Sequence, residues 1–563
     1  MDLKTYMTAV RNYLDSMTER QMRDWILSQA RTVEKERRQT FLENLKGTQK
    51  VVFSLTTEEI SQWCRQIEEG KLYLQTQQEE YYKEGEWGSD WRTVYYDRAG
   101  ILPYLHKALE NSCKMVAARE YKKAGCLLDR LCRLEIHHES EEECWEDDCE
   151  PMTLERLSEE ELLDIDFDEL SLNLIYAVYQ STQGKERIRK LYEYLSWSIC
   201  GGITMTDVFA FGPEELPDME GFMQRWHDYL QGIPGDRAAE LLTDACVYIG
   251  GEERLLNTAR ETVKLHPYLY KACCQKALEE ENWAGCISVG LEAVRRISVN
   301  KVIRGQIAEL SFQAAKQLQD ETMKLEFSKA AFFSEPDCAR LLRLYQFHAA
   351  CLLTDSIKRL DEIPEKPFLR YAEDSYKEQQ ETSIDGKNLK DVYRFMLGDF
   401  EWGWKNGSEG KASYLGWSGS FKEIFILLLL VLMKNPEGRR SKADEAIMEK
   451  LMSCLRYSGN SDMPFKTAIL LWRNAYAISE SQKKQCQEWL LEEIDKRTEA
   501  VVGGGYRHSY HKAAELIVVM GEILEEGGEA GGMRRLIEKY KSIHSRKSAF
   551  RKEIEELSRP CIY

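Results

Sequence analysis

The sequence predicts an all-α protein in which helix pairs stack one on the next to form an α-solenoid. Apolar residues recur at helical spacing, and three helix starts follow one another at nearly equal intervals. Prolines, which interrupt helices, number only 12 in 563 residues. Long stretches also lack the alternating Val, Ile and Thr pattern that is typical of strands.

Helical spacing is clearest between residues 283 and 318. Here apolar residues follow one another at intervals of three or four, which places them along one face of each helix. One helix is predicted from Trp283, Ile287, Leu291 and Val294, and the next from Ile303, Ile307, Leu310, Ala314 and Leu318.

The predicted helix starts recur with a regular period. Starts near Pro267, Lys301 and Pro336 lie 34 and then 35 residues apart (301 − 267 and 336 − 301), which is the period of a helix-turn-helix repeat. Proline suits a first helical turn, because its missing N–H would have no intrahelical partner there. Each pair exposes an apolar stripe that only stacking can bury, so the period predicts a repeat array.

The sequence divides into four predicted regions. Residues 1–150 form an N-terminal helical region that ends in an acidic loop at 139–150. Residues 151–365 form the helix-pair repeats. Residues 366–420 form a connection whose Gly- and Trp-containing part is expected to pack, and residues 421–563 form C-terminal helical repeats with a basic terminal segment.

One apolar run stands out, IFILLLLVLM at residues 424–433. It has about half of the roughly 20 residues that a membrane-spanning helix requires. The run therefore predicts a fully buried helix, and no contact with a membrane is expected.

Charge and cysteine usage bear on the cellular setting. Asp and Glu exceed Lys and Arg by 95 to 77, so the net charge of −18 disfavours general attraction to polyanions. The first residues carry charges where a signal peptide needs an apolar stretch. The 16 cysteines are scattered without the compact framework of a disulfide-rich module. We expect a cytoplasmic protein with reduced thiols.

The second helix of the predicted repeat, NWAGCISVGLEAVRRIS, resembles a tetratricopeptide repeat. It has an aromatic residue at Trp283 and small residues at Cys286, Gly290 and Ala293. Ser298 stands where that family usually has proline. The resemblance implies a degenerate, tetratricopeptide-like repeat.

A second resemblance covers most of the chain. Residues 255–297, 398–432 and 506–554 resemble the helical region of bacterial SWIM zinc-finger proteins through spaced small, aromatic and basic positions. In that family the region accompanies a small zinc module associated with nucleic-acid or protein contacts. The module needs a C-x-C pair followed by C-x-H, and no two cysteines here are two positions apart. The resemblance therefore implies the helical scaffold without the zinc finger.

Two groups of residues offer donor atoms for a metal ion. Structural zinc sites hold their ligands as C-x-x-C or H-x3–5-H pairs, and neither group has this spacing. A solvated acidic loop and a polar helix face are the competing interpretations, and we predict no metal. The groups are His137, His138, Cys144 and Cys149, and then His508, His511 and Glu515.

Enzymatic motifs fail their geometric requirements. Gly410 and Lys411 are followed by Ala412, where a phosphate loop needs Ser or Thr. The GWSGS sequence at 416–420 places its first glycine wrongly for a nucleophile elbow. No cysteine is marked as activated by a neighbouring base. We therefore predict no catalytic residue and no cofactor.

The strongest candidate site is a local reversal of charge near the C-terminus. Between Met533 and Lys552 only Glu538 opposes eight basic residues, and Tyr540 and Phe550 offer stacking surfaces for single-stranded nucleic acid. The same cations could instead complement helix dipoles or pair with acidic repeats. They are Arg534, Arg535, Lys539, Lys541, Arg546, Lys547, Arg551 and Lys552.

These features predict a non-enzymatic scaffold that binds protein partners through apolar anchors and rim charges. The alternative is an accessory nucleic-acid-binding protein that uses the C-terminal basic helices. Most of the candidate aromatic anchors are expected in the core rather than on the surface. The candidates are Trp87, Trp91, Tyr95, Tyr96, Trp402, Trp404 and Trp417.

Overall fold

The structure is a computed structural model of the chain. It describes residues 16–33, 53–82, 89–140, 150–212, 214–347, 353–366, 380–385, 388–409, 420–457 and 463–561, with the single positions 13, 35, 38, 41 and 42.

The chain forms two compact units, Met1–Arg260 and Glu261–Tyr563. Most described residues of the first unit are helical, as the sequence predicts. Its elements are α1 (Glu19–Thr32), α2 (Thr57–Glu68), β1 (Leu74–Tyr82), β2 (Ser89–Tyr96), α3 (Ile101–Ala117), α4 (Tyr121–Cys132), β3 (His138–Ser140), α5 (Leu154–Glu159), α6 (Phe167–Ser181), α7 (Gly184–Leu195), α8 (Met205–Ala210), α9 (Met219–Leu230) and α10 (Asp236–Thr262).

A three-stranded sheet in the first unit corrects the prediction of an all-α protein. The strand order is β2-β1-β3, with β1 antiparallel to β2 and parallel to β3. Leu74 pairs with His138, and Thr76 pairs with Ser140. Residues 139 and 140 thus belong to a strand and not to the predicted acidic loop, of which residues 141–149 lie outside the described part.

The second unit is also mainly helical, with one short parallel strand pair formed by β4 and β5. Its elements are α11 (Tyr268–Glu279), α12 (Trp283–Arg296), α13 (Val302–Gln317), α14 (Glu321–Ser334), α15 (Cys338–Leu344), α16 (Leu353–Glu362), β4 (Glu365–Lys366), β5 (Ile384–Asp385), α17 (Leu389–Met396), α18 (Phe400–Ser408), α19 (Phe421–Met433), α20 (Lys442–Cys454), α21 (Phe465–Ala475), α22 (Glu480–Thr498), α23 (Tyr510–Glu526), α24 (Gly532–Ile543) and α25 (Ser548–Leu557).

Two turns of the same form join the helices between α11 and α14. In the first, Glu281 adopts the left-handed conformation (φ 56°) and the Asn282 side chain caps α12 by accepting from the Gly285 N–H. In the second, Gln319 is left-handed (φ 54°) and Asp320 caps α14. Such caps satisfy N–H groups that a helix leaves open at its start, so each turn both ends one helix and begins the next.

Close packing within this stretch depends on small residues. Helix α13 packs against α11, α12 and α14. Cys286 and Ala293 are fully buried, and a β-carbon on Gly290 would lie only 1.9 Å from the Ser311 hydroxyl. Glycine at position 290 therefore lets α12 and α13 approach each other more closely than any larger residue would allow.

The prediction of a fully buried helix at residues 424–433 is confirmed for all but the last residue, Met433, which is partly buried. Residues 421–432 of α19 are all buried, and α17, α18, α20, α22 and α23 pack around the helix. Ser420 caps its first turn. Among the helices of the described residues, none combines the length and the apolar character that crossing a bilayer would need.

The N-terminal end of α19 carries two charged residues into the core. The Lys422 ammonium lies 2.7 Å from Glu493 Oε2 of α22, and both side chains are about 95% buried (5% and 3% exposed). The two atoms form an ion pair without the alignment of a hydrogen bond. Glu423 meets the Lys450 ammonium of α20 at 2.6 Å.

A further buried pair closes the C-terminal end of α19. Lys434, just after the helix, donates a hydrogen bond to the fully buried Glu522 of α23. Its ammonium also lies 3.3 Å from Asp444 of α20. Each buried charge at the two ends of α19 therefore has a counter-ion on a neighbouring helix, as burial in a low dielectric requires.

Candidate interaction surfaces

The basic segment spans α24, the turn that follows it, which contains Arg546 and Lys547, and the first half of α25. Both helices pack against α23. Half of the eight cations of the segment are paired with carboxylates. The pairs are Arg534 with Glu538 (2.8 Å), Arg535 with Glu529 (3.3 Å), Lys539 with Asp495 (2.8 Å) and Lys541 with Glu555 (2.7 Å).

The other half of the segment is more open. Arg546, Arg551 and Lys552 are exposed and Lys547 is half-buried. None of the four forms an ion pair with another residue in the described part of the chain. We call these four residues the unpaired basic set, and the remaining four the paired basic set.

The two aromatic residues of the basic segment are not available for stacking on a nucleic acid. Tyr540 is 1% exposed, and its hydroxyl donates to Asp495 Oδ1 at 2.6 Å. Phe550 is fully buried between the rings of Tyr510 and His544. The predicted stacking role of Tyr540 and Phe550 is therefore wrong, because both rings belong to the core.

The first candidate metal group is only partly described. His138 Nε2 lies 3.0 Å from the Glu150 carbonyl oxygen, while Cys144 and Cys149 lie outside the described residues. Wherever the structure describes the chain, it brings no three His, Cys, Asp or Glu side chains together as a metal site. This includes the second group, His508, His511 and Glu515.

Glu515 of that second group is instead a buried carboxyl on α23. Burial is the main cause that raises its pKa to about 7, against the opposing charges of Lys450 and Lys512. Glu553 adds a like charge that acts in the same direction as burial. Its side chain lines a small cavity together with Glu423 and Arg497.

The candidate aromatic anchors divide between core and surface. Trp402 and Trp404 pack against the core of the second unit, where Trp404 meets the ring of Trp489 at 5.5 Å. In the first unit Trp91 is 61% exposed, and Tyr95 lies edge-on to His138. Tyr96 is exposed as well, whereas Trp87 and Trp417 lie outside the described residues.

The candidate enzymatic motifs fall largely on residues that the structure does not describe. These are residues 410–412, with the Gly-Lys-Ala sequence, and 416–419 of the GWSGS sequence. Ser420, the last residue of the second motif, is the cap of α19.

A set of polar contacts that the sequence analysis did not identify runs across α11, α13 and α15. Lys271 donates to Gln306 Oε1 at 2.9 Å. Arg343 binds both carboxylate oxygens of Glu309, at 2.8 and 2.7 Å, and Arg340 donates to Glu309 at 2.8 Å. We call these five residues the polar ladder.

The spacing of the polar ladder carried a signal in the sequence. Its partners are 35 residues apart (306 − 271) and 34 residues apart (343 − 309), like the predicted helix starts. Burial alone would raise the pKa of Glu309, but hydrogen bonds from Arg343 and the charges of Arg343 and Arg340 hold it below its ordinary value. Glu309 is therefore the charged centre of the ladder.

No protein-family model matches the chain, and no curated protein matches it either. The resemblances to tetratricopeptide repeats and to SWIM zinc-finger proteins stay predictions from the spacing of residues.

The buried carboxyl of Glu515 predicts a pH effect on stability. Because its folded pKa of about 7 lies above the ordinary 4.5, the folded chain holds a proton that the unfolded chain releases between these pH values. The contribution of the protonated Glu515 carboxyl to stability is fully present below about pH 4.5 and is lost as the pH rises through about 7. Between about pH 5 and pH 8, the free energy of unfolding of the wild type should fall by roughly 2 kcal/mol relative to that of Glu515→Gln, which has no carboxyl group to titrate at this position.

Urea unfolding at both pH values measures this difference. Glu525→Gln, on the exposed side of the same helix, is the control and should follow the wild type. A Glu515→Gln variant whose stability changes with pH as much as that of the wild type would contradict the assignment.

Proposed function

We propose that the chain is a non-enzymatic helical-repeat scaffold that binds a protein partner, and that α11–α15 form its tetratricopeptide-like part. The polar ladder carries this proposal. Its contacts join side chains at matching positions of α11, α13 and α15, the first helices of successive predicted repeats. Stacked repeats are expected to place equivalent helices side by side in this way.

The packing of α12 and α14 supports the same arrangement. Each follows a first helix through a short capped turn, and α13 contacts the helix before it, the helix after it and α11. An apolar stripe on one helix pair is thus covered by the next pair. The resemblance to SWIM zinc-finger proteins that the sequence predicts is consistent with a scaffold role.

The ladder face offers a defined surface for a partner. Gln313 is exposed four residues after Glu309, and Gln275 is half-buried four residues after Lys271, so both lie beside the ladder. Both arginines of the ladder are already paired with carboxylates, Arg343 with Glu309, and Arg340 with Glu309, Glu335 and Asp337. We therefore expect a partner to be recognised through hydrogen bonds and apolar contact beside the ladder rather than through unpaired charge.

We also propose that the chain functions in the cytoplasm. Every cysteine that the structure describes is a free thiol. Many are buried small residues of the core, as expected where thiols stay reduced.

Affinity capture from cell lysate with two matched variants tests the scaffold proposal. Wild-type protein should retain a specific set of proteins at low and moderate salt. The double variant Gln275→Arg/Gln313→Arg places two bulky cations beside the ladder. It should capture at least tenfold less of these proteins, because the new side chains conflict with the partner sterically and by charge. Ser288→Arg, on an exposed position of α12, should retain it.

Two results would count against the scaffold proposal. One is the absence of any specific protein at both salt concentrations. The other is an equal loss of captured protein in Gln275→Arg/Gln313→Arg and in Ser288→Arg, because the ladder face would then have no special role.

The unpaired basic set supports a second candidate function, nucleic-acid binding. Four cations without a carboxylate partner remain free to contact phosphates, whereas the paired basic set must first break its ion pairs. Stacking on Tyr540 or Phe550 is not part of this proposal. Contacts to phosphate alone predict weak sequence preference and strong salt dependence.

A salt series with a single-stranded oligonucleotide separates the two basic sets. Replacing Arg546, Lys547, Arg551 and Lys552 together with Gln should lower the slope of log affinity against log salt by about 3, for four lost phosphate contacts. Replacing the four residues of the paired basic set with Gln should lower this slope by less. Absent or salt-insensitive binding by the wild type would exclude this candidate.

A further inference from the structure

A cavity of about 80 Å³ lies within the second unit, beside the C-terminal end of α19. At about 10–15 Å³ for each atom of the size of a water oxygen, this volume accommodates roughly five to eight such atoms. Its apolar wall includes Val431 of α19, Ile447 and Met448 of α20, Leu470 of α21 and Val519 of α23. Such a wall suits the hydrocarbon part of a ligand.

Two of the four cations that line the cavity are already neutralised. Lys434 pairs with Asp444 and with Glu522. Lys466 lies 3.1 Å from Glu445. The two carboxylates on the cavity wall, Asp444 and Glu445, are thus matched by the two lysines.

Arg473 of α21 is the third cation, and it forms no ion pair with a carboxylate in the part of the chain that the structure describes. Its Nε donates to the Val431 carbonyl at 3.0 Å, at the end of α19, and Nη1 donates to Asn474 at 3.2 Å. The remaining guanidinium nitrogen, Nη2, has no hydrogen-bond partner among the described residues. Burial lowers the pKa of Arg473, and Glu526 opposes this shift without forming an ion pair.

Arg440 is the fourth cation, at the exposed rim of the cavity. The only hydrogen bond of its guanidinium group to a described residue is a long one of 3.5 Å, from Nη2 to the Pro436 carbonyl. The Arg440 carbonyl accepts from the Cys561 N–H at 3.1 Å, so the end of the described chain forms part of the same wall. Two guanidinium groups therefore border one cavity, and neither is paired with a described acidic residue.

We propose that this cavity binds a small organic carboxylic acid, with its carboxylate between Arg473 and Arg440 and its aliphatic chain against the apolar wall. Guanidinium groups bind carboxylates in the plane of the ligand with two parallel hydrogen bonds. An inorganic anion would satisfy the arginines and leave the apolar wall wet, so the aliphatic chain distinguishes the proposed ligand class. This site is separate from the ladder face and from the basic segment.

Titration calorimetry on the full chain tests the proposal with 4-methylpentanoate as the probe. Its neutral amide, 4-methylpentanamide, is the matched ligand control, and inorganic phosphate is the anion control. The acid should bind at least about tenfold more tightly than the amide, since charge-assisted hydrogen bonds require the carboxylate. It should also bind more tightly than phosphate.

Three variants locate the binding. Arg440→Met changes an exposed residue and should weaken binding of the acid about tenfold. Arg473→Met should weaken it at least as much, and its unfolding curve shows whether the fold survives the loss of the bond to Val431. Arg507→Met, an exposed arginine that does not line the cavity, should bind like the wild type.

The proposal is overturned if the acid does not bind, or if acid and amide bind equally. It is also overturned if Arg440→Met leaves the affinity for the acid unchanged. Phosphate binding as tightly as the acid would mean an adventitious ion only, and would overturn it too. None of these results depends on a protein or nucleic-acid partner, so they are distinguishable from a failure of the scaffold proposal.

Discussion

The second unit depends on the burial of α19. A helix that is apolar on every side cannot face water on any side, so other helices must surround it. The surrounding helices are α17, α18, α20, α22 and α23, which come from both sides of α19 in the sequence. The need for correctly placed neighbours is strongest at the two ends of the helix, where the charged residues Lys422, Glu423 and Lys434 are buried.

Those end charges constrain the neighbouring helices more narrowly than apolar packing does. An apolar contact tolerates small shifts, whereas a buried ammonium needs a carboxylate within a few ångströms. Glu493 fixes α22 at one end of α19, and Glu522 fixes α23 at the other. Replacing such a pair by apolar residues can be neutral, but removing one partner leaves an uncompensated charge. The pairs therefore serve mainly to specify the arrangement.

The cavity is a consequence of the same arrangement. Lys434 is held by Asp444 and Glu522, and Arg473 binds the last turn of α19 through the Val431 carbonyl. These contacts place one neutralised cation and one unpaired cation on the same wall. The architecture around a buried helix thus accounts for both the apolar lining and the position of Arg473.

Local patterns predicted the helices well and distant partners poorly. The starts near Pro267 and Lys301 agree with α11 and α13 to within one residue, and α15 begins two residues after Pro336. These starts depend on capping and spacing, which are local. The sheet was missed because β1 is rich in Gln and Glu, and its parallel partner β3 lies 64 residues away (138 − 74).

The basic segment shows the same limit at a site. Its cations were identified by composition, but Asp495, which pairs with Lys539, lies 44 residues away. The burial of Tyr540 could have been predicted, because Met533, Leu536 and Tyr540 share the helical spacing of a buried face. The polar ladder was equally accessible through its 34- and 35-residue intervals. The pairing of Lys539 with Asp495, in contrast, has no local signature in the sequence.

A double-mutant cycle on Lys422 and Glu493 tests the central role of the buried end charges most directly. Lys422→Met should cost about 3 kcal/mol in the free energy of urea unfolding, because Lys496, at 3.0 Å and more exposed, is then the only ion-pair partner of Glu493 among the described residues. The double variant Lys422→Met/Glu493→Met should cost at least about 1 kcal/mol less than the sum of the single changes. Lys484→Met, in a solvent-exposed pair on the same helix α22, should change stability by less than about 0.5 kcal/mol. Additive single changes, or a Lys422→Met variant as stable as Lys484→Met, would contradict the account.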